Sequence, residues 1–339
     1  MNCIVIVDVV VQRRTWGGPP APCSDEPIVL GVLTPPRVEG TVVVGRPRRR
    51  LGFAEFGPAD GRPFVWLHGT PGARRQIPQA ARVLAEELGL RIVGVDRPGV
   101  GGSTPYRYGS LLEFVTDLTR VGDHLGLERF GVIGLSGGGP YALAACYALP
   151  DRVTVGGVLG GVAPARGDDA PPGGFVGRMA PLGPLSTVTV LPQSLGLTAF
   201  LWVLRPVFSQ LYELYARIAP EGDQKVFARP EVKAMFIDDI LNGSRRVVAA
   251  PVLDFLLFAR PWGFSVRDIT VPVRWWHGDA DNIVPLGHGQ HMVSLIPDAE
   301  LYVRPGESHL GAFGAAEEVL TTLLAVWDKR DSVNTAGPT

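Results

Sequence analysis

Phe130-Gly131-Val132-Ile133-Gly134-Leu135-Ser136-Gly137-Gly138-Gly139-Pro140-Tyr141 reads as a short apolar strand that turns, at a serine, straight into a helix running to about residue 149. Gly134, Ser136 and Gly138 satisfy the spacing G-x-S-x-G. The glycines matter because such a corner forces the serine into strained backbone angles, where a neighbouring Cβ would collide. The following helix aims its first N–H groups and its positive dipole end at the serine oxygen and at any oxyanion formed beside it. The alternative is a plain glycine-rich turn, so the rest of the chain has to supply Ser136 with partners.

Outward from this corner, short apolar runs alternate with helical patterns. The runs 41–44, 51–56, 63–67, 91–95, 129–135, 153–159, 271–276 and 300–303 predict eight strands. The stretches 78–87, 110–125, 141–149, 286–296 and 315–327 carry helical periodicity between the later ones. That order predicts an α/β fold: a mostly parallel eight-stranded sheet with helices on both faces and an antiparallel edge from the first two strands. Residues 164–264 break the alternation with aromatic-rich helical segments and read as an inserted helical cap, or lid. Most of its aromatics, Phe200, Trp202, Tyr212 and Phe236 among them, are expected to pack the cap, with a minority left to line a pocket. The core is then 39–163 plus 265–330, flanked by a proline-rich flexible extension over 1–38 and a polar flexible tail over 331–339.

With 46% hydrophobic and 19% charged residues, a chain of 339 residues can bury a large core, and its net charge of −1 offers no field for nucleic acid. Cys3, Cys23 and Cys146 show no C-x-x-C spacing, and Cys146 falls in the apolar helix after the serine, so a reducing, cytoplasmic setting is expected. The apolar run 4–11 is interrupted by Asp8 and has no basic residues before it, which argues against a signal peptide. The greasy run 195–204 is cut by Arg205-Pro206, so no membrane span is expected.

In a parallel sheet, chemistry gathers on the loops at the carboxyl ends of the strands. After the third strand, His68-Gly69-Thr70-Pro71-Gly72 is a tight turn whose Thr70 N–H could join the Gly137 N–H as an oxyanion hole. His68 reads better as a residue fixing this turn than as a base. Asp96-Arg97-Pro98-Gly99-Val100-Gly101-Gly102-Ser103 lacks the third glycine of G-x-G-x-x-G and reads as a turn shaping the pocket rim. The seventh strand leads to Asp279 and Asp281, and the eighth to His309. A serine hydroxyl needs an imidazole to take its proton and a carboxylate to hold that imidazole's tautomer, and the order Ser, Asp, His suits this topology. His288 and His291 stand at i, i+3, but they fall where solvated helix positions are expected and lack H-E-x-x-H, so no metal is expected. His124, near a helix end, is explained by its placement.

The stretches 69–72, 96–103, 134–138, 278–285 and 306–309 resemble the α/β-hydrolase superfamily, and the likeness covers about 41–328. The resemblance implies Ser136 as nucleophile, His309 as general base and Asp281, three residues after the loop glycine, as the acid, with Asp279 its rival. The cap between the sixth and seventh strands also fits that family, and no cofactor is expected. Glu307-Ser308 departs from the small residues common before the histidine. A serine in place of an aspartate nucleophile argues against the dehalogenase and epoxide hydrolase branches. The expected substrate is a small or medium apolar ester. A proline-iminopeptidase-like amide hydrolase would need a cap acid such as Glu213, Glu221, Asp223, Glu231, Asp238, Asp239 or Asp254 to hold an amine. A carbon–carbon bond hydrolase and a non-catalytic ligand-binding protein are the other readings.

Overall fold

A computed structural model describes residues 33–171 and 189–335. Its strands are β1 (Val38–Val44), β2 (Arg49–Phe56), β3 (Arg62–Leu67), β4 (Leu90–Val95), β5 (Phe130–Leu135), β6 (Val153–Leu159), β7 (Val273–Gly278) and β8 (Ala299–Arg304). They form one sheet in the order β1-β2-β4-β3-β5-β6-β7-β8. β2 pairs antiparallel with both β1 and β4, and every other pairing is parallel. The protein thus has the mostly parallel eight-stranded sheet predicted from the alternation, in the α/β-hydrolase fold that the motif resemblance implied. Because successive side chains point to opposite faces, Val65 and Leu67 of β3 join one core cluster while Phe64 and Trp66 join the other. The helices α1 (Gln79–Glu87), α2 (Leu111–His124) and α3 (Gly139–Ala148) follow β3, β4 and β5. α2 and α3 cover the first face, and α1 shares the second with the C-terminal helix.

Over the carboxyl ends lie five helices: α4 (Val190–Leu204), α5 (Phe208–Ile218), α6 (Glu221–Phe227), α7 (Pro230–Gly243) and α8 (Ala250–Phe258). Phe227 stacks on Phe236, Tyr212 packs against both rings, edge-on to the first and tilted to the second, and Phe236 meets Phe313, which joins the cap to the core through aromatic contacts. Pro206 does not end the apolar run as its position suggested. It sits at the start of the short turn Arg205–Val207, where a missing N–H costs nothing, and helix resumes at Phe208. The stretch Val190–Ile218 is therefore long and apolar enough, by length and composition, to cross a membrane, and only 6% of its most apolar window is buried.

The last two helices are α9 (Leu286–Leu295) and α10 (Ala316–Thr335). α10 runs through Lys329–Ser332, so the tail expected to fray there is helical to Thr335. Arg129 reaches Asp331 at 2.6 Å, and the Arg330 guanidinium donates to Thr154 O at 2.9 Å. Part of the N-terminal extension is also tied down: Thr34 N–H donates to Gln79 Oε1, and Arg82 donates to Thr34 O. The remainder of both expected flexible ends, 1–32 and 336–339, lies outside the described residues, as does 172–188 of the expected cap. β1 begins three residues before the apolar run because Glu39 and Gly40 pair with Ala54 and Phe53 despite their chemistry. β7 extends to Gly278 through its register with Arg304, which brings the acid-bearing loop closer to the strand end than the apolar pattern implied.

Candidate active site

At the corner between β5 and α3, Ser136 has φ +50°, the only positive φ of a non-glycine residue among those described. The surrounding glycines explain how this is tolerated. A Cβ on Gly134 would stand 2.5 Å from Gly138 O, and one on Gly138 would stand 2.1 Å from Leu67 O. Neither distance is possible for a real side chain, so the G-x-S-x-G spacing is a packing requirement here. The strained corner projects Ser136 Oγ to 2.7 Å from His309 Nε2. His309 Nδ1 in turn lies 2.7 Å from Asp281 Oδ2.

Asp281 is held from several sides. Its Oδ1 accepts from Ile283 N–H and Val284 N–H, both at 2.8 Å. His277 stands 3.4 Å from Oδ2. The Trp275 indole donates to His277 Nδ1, so Nε2 carries the proton and donates to Val284 O at 2.7 Å. Burial alone would raise the Asp281 pKa, but the nearby His277 ring, the hydrogen bond to His309 and its charge, and the Val284 N–H outweigh it. The net effect holds the carboxyl well below the usual range, so it stays ionised beside the imidazole. Asp279, the rival acid, is exposed and accepts from Gly306 N–H at 2.7 Å, away from the ring.

The turn after β3 is fixed by charge. Arg97 donates to His68 O and to Gly69 O and Thr70 Oγ1, the last two at 2.8 and 2.7 Å. Its Nε also donates to Asp254 Oδ2 of α8 at 3.0 Å. Asp254 accepts further hydrogen bonds from Thr70 Oγ1 and the Tyr141 hydroxyl, at 2.6 and 2.7 Å. His68 Nε2 accepts from Arg97 N–H, which leaves Nδ1 to donate to Gly69 O. Burial, reinforced by the Arg97 charge, holds its pKa well below 6.5. Both ring nitrogens of His68 are engaged in holding the turn. The Asp96–Ser103 loop, expected at the pocket rim, contributes no residue to the cavity lining: Asp96 is fully buried on Arg74 and Gly102 N–H, while Arg97 holds the turn after β3.

Thr70, Ser136 and Gly137 open onto a cavity of about 240 Å³. A Cβ on Gly137 would stand 2.3 Å from Thr70 Oγ1, so the two loops meet there. The walls are apolar, chiefly Val162, Pro251, Phe255, Phe258, Ile283 and Val284, and no carboxylate lines the cavity among the described residues. Four further cap acids have partners away from the cavity. Asp239 Oδ2 accepts from Ala73 N–H, Asp223 Oδ1 accepts from Ser308 N–H, Asp238 meets Arg75, and Glu213 meets Lys233.

His288 departs from the expected solvated position. α9 turns His288, Gly289 and Met292 inward, and His288 lines the cavity. Its neighbour at i+3, His291, approaches Asp169 O through Nε2 at 3.1 Å. No group of three or more metal-ligating side chains occurs among the described residues. His124 is exposed at the end of α2. Cys146 is buried, and burial pushes its thiol up to about 12. Arg97 and Asp254 were not foreseen as a pair, although a lone acid in the apolar run Val252-Leu253-Asp254-Phe255-Leu256 was a legible hint.

A family model described as alpha/beta hydrolase fold matches residues 62–156. A proline iminopeptidase of Arabidopsis thaliana is 36% identical over 115 residues, which cover 33% of this chain and 30% of that one. The chain therefore matches only about a third of the length of such curated relatives. Among solved structures, a bromoperoxidase from Bacillus anthracis is similar with TM-score 0.62 at 21% identity, covering 86% of this chain and 100% of that one. A thermophilic esterase from Thermogutta terrifontis is similar with TM-score 0.61 at 21% identity, over 86% of this chain and 99% of that one. At such identities the likeness speaks for the fold alone.

Proposed function

We propose that this chain, which belongs to the α/β-hydrolase superfamily, is a serine hydrolase that cleaves small or medium apolar esters through an acyl-enzyme on Ser136. In this reading His309 Nε2 takes the Ser136 proton as Oγ attacks the ester carbonyl, and Asp281 stabilises the imidazolium that forms. The N–H groups of Thr70 and Gly137 receive the oxyanion. Each such donor contributes about 3 to 4 kcal/mol to the transition state. His309 then protonates the leaving alkoxide, and a water activated by the same ring releases the acid.

The observation that carries this is the unbroken chain of short contacts, Ser136 Oγ to His309 to Asp281, opening into an apolar cavity. The cavity wall also favours esters over the aminopeptidase chemistry named for the relatives. A substrate ammonium would find no carboxylate on the described lining, and the segment 172–188 contains no acidic residue. Asp254 faces Arg97 and Tyr141 rather than a ligand. Purified protein is expected to turn over p-nitrophenyl esters of two to six carbons at least about a hundredfold faster, by kcat/KM, than prolyl or alanyl p-nitroanilide. Faster cleavage of the anilides would replace the esterase reading with the peptidase one.

A further inference from the structure

Three of the side chains around the cavity carry polar atoms: Thr70, Ser136 and His288. Two of them are occupied. Thr70 Oγ1 sits between Asp254 and Arg97, and Ser136 Oγ is on His309. His288 is different: the residue is only 9% exposed, and neither Nδ1 nor Nε2 has a hydrogen-bond partner. Buried polar side chains nearly always find partners, and one that does not calls for an explanation.

The other histidines at this end of the sheet provide the contrast. His68 engages Gly69 O and Arg97 N–H, and His277 engages Val284 O and the Trp275 indole. Each of those rings is satisfied on both nitrogens by the protein itself, as a structural histidine should be. His288 leaves one donor and one acceptor free at the wall of the cavity that holds the nucleophile.

We propose that His288 is a specificity-determining residue that hydrogen-bonds a neutral oxygen substituent, a hydroxyl or carbonyl, on the part of the ester away from the scissile bond. This deepens the esterase reading and rests on it. A hydroxyl matches a neutral imidazole, since it can accept from one ring nitrogen or donate to the other. Burial, with the nearby His277 and His291, also lowers the pKa of His288, which favours the neutral ring and so a neutral ligand group over a carboxylate. Around this contact the remaining wall is apolar, so a substrate lacking the oxygen would bury the ring without replacing its hydrogen bonds.

The test is a ratio. Two matched series are assayed: p-nitrophenyl butanoate against its 2-, 3- and 4-hydroxy and 3-oxo derivatives, and butyl acetate against the hydroxybutyl acetates. Wild type is expected to favour at least one oxygen-bearing member over its plain parent by about tenfold or more in kcat/KM. His288→Leu is expected to bring that ratio to about one, and His288→Gln, which keeps a donor and an acceptor, to retain part of it. A ratio within one preparation is independent of how much of the variant has folded. A wild-type ratio near one in both series, or a His288→Leu enzyme that keeps the preference, would overturn the assignment. Absence of all ester turnover, together with no fluorophosphonate adduct on Ser136, would identify the esterase reading as the part that failed and would take this inference with it.

Discussion

The floor of the site and the cap above it are held by different forces. Ser136, Asp281 and His309 sit at the ends of hydrogen-bonded parallel strands, buried, with their positions set by sheet register and by glycines that admit no side chain. The cap has no such frame. Its α4–α5 arm exposes Val203 at 75% and Ile218 at 72%, and within it the apolar surface is left largely uncovered. The cap is tied to the floor by three buried carboxylates: Asp254 to Arg97 and Thr70, Asp239 to Ala73 and Arg75 N–H, and Asp223 to Ser308 N–H. Each lands on a loop that positions the site, either the turn after β3 or the loop carrying His309. The comparison teaches that the cap is fastened through polar contacts at the loops bearing Thr70 and His309 rather than through a shared apolar seam alone.

The largest effects are expected on the floor. Ser136→Ala or His309→Ala should lower kcat by about 10⁶, with the double variant scarcely worse, because the pair acts as one unit. Steady-state kinetics on an ester would show multiplying losses if the two acted independently. Next, Asp281→Asn should cost about 10⁴ in kcat through the wrong imidazole tautomer, whereas Asp279→Asn should cost far less, since Asp279 meets only Gly306 N–H. A reversed ranking would move the acid to Asp279.

Cap variants sharpen the contrast. Asp254→Ala strands Arg97 as a buried unpaired charge and should lower stability by about 3 kcal/mol, read by urea unfolding. It should also lower kcat by about 10²-fold, because Thr70 loses the partner that fixes the turn. Loss of stability with full kcat would show that the tie does not reach the chemistry. The smallest effect is electrostatic. Burial raises the Asp239 carboxyl from 3.8 to about 7, only partly offset by the Ala73 N–H. The native state then holds this proton more tightly than the unfolded chain. Its contribution to stability is full below about pH 4 and is lost as pH rises through 7, at on the order of 1 kcal/mol per pH unit. Between pH 4.5 and 7, unfolding free energies of wild type and Asp239→Asn should diverge with that slope. Parallel curves would mean that the carboxyl titrates normally.

The strands, the corner at Ser136 and the places of Asp281 and His309 beside it were legible because they rest on local signals: apolar runs, glycine spacing and residues just past a strand end. The Arg97–Asp254 pair was not, since its partners lie 157 residues apart and each looks ordinary in its own segment. His288 was misplaced because the rotation of α9 depends on how it packs against β7, and a helix with Gly287 and Gly289 around the histidine gives the pattern little to fix it. Pro206 misled for a similar reason: whether a proline ends a helix or starts the next depends on the turn before it. The helical course of α10 past Lys329 hangs on long-range ties from Arg129 and to Thr154, which polarity alone does not announce.

The central claim is that His309 activates Ser136 by sharing its proton. It is tested most directly by treating the protein with a fluorophosphonate and mapping the adduct by peptide mass spectrometry. The account predicts one adduct, on Ser136, formed rapidly in wild type, about 10⁴-fold more slowly in Asp281→Asn, and not at all in Ser136→Ala. An unlabelled Ser136 in folded wild-type protein, or labelling at an unchanged rate without His309, would contradict it.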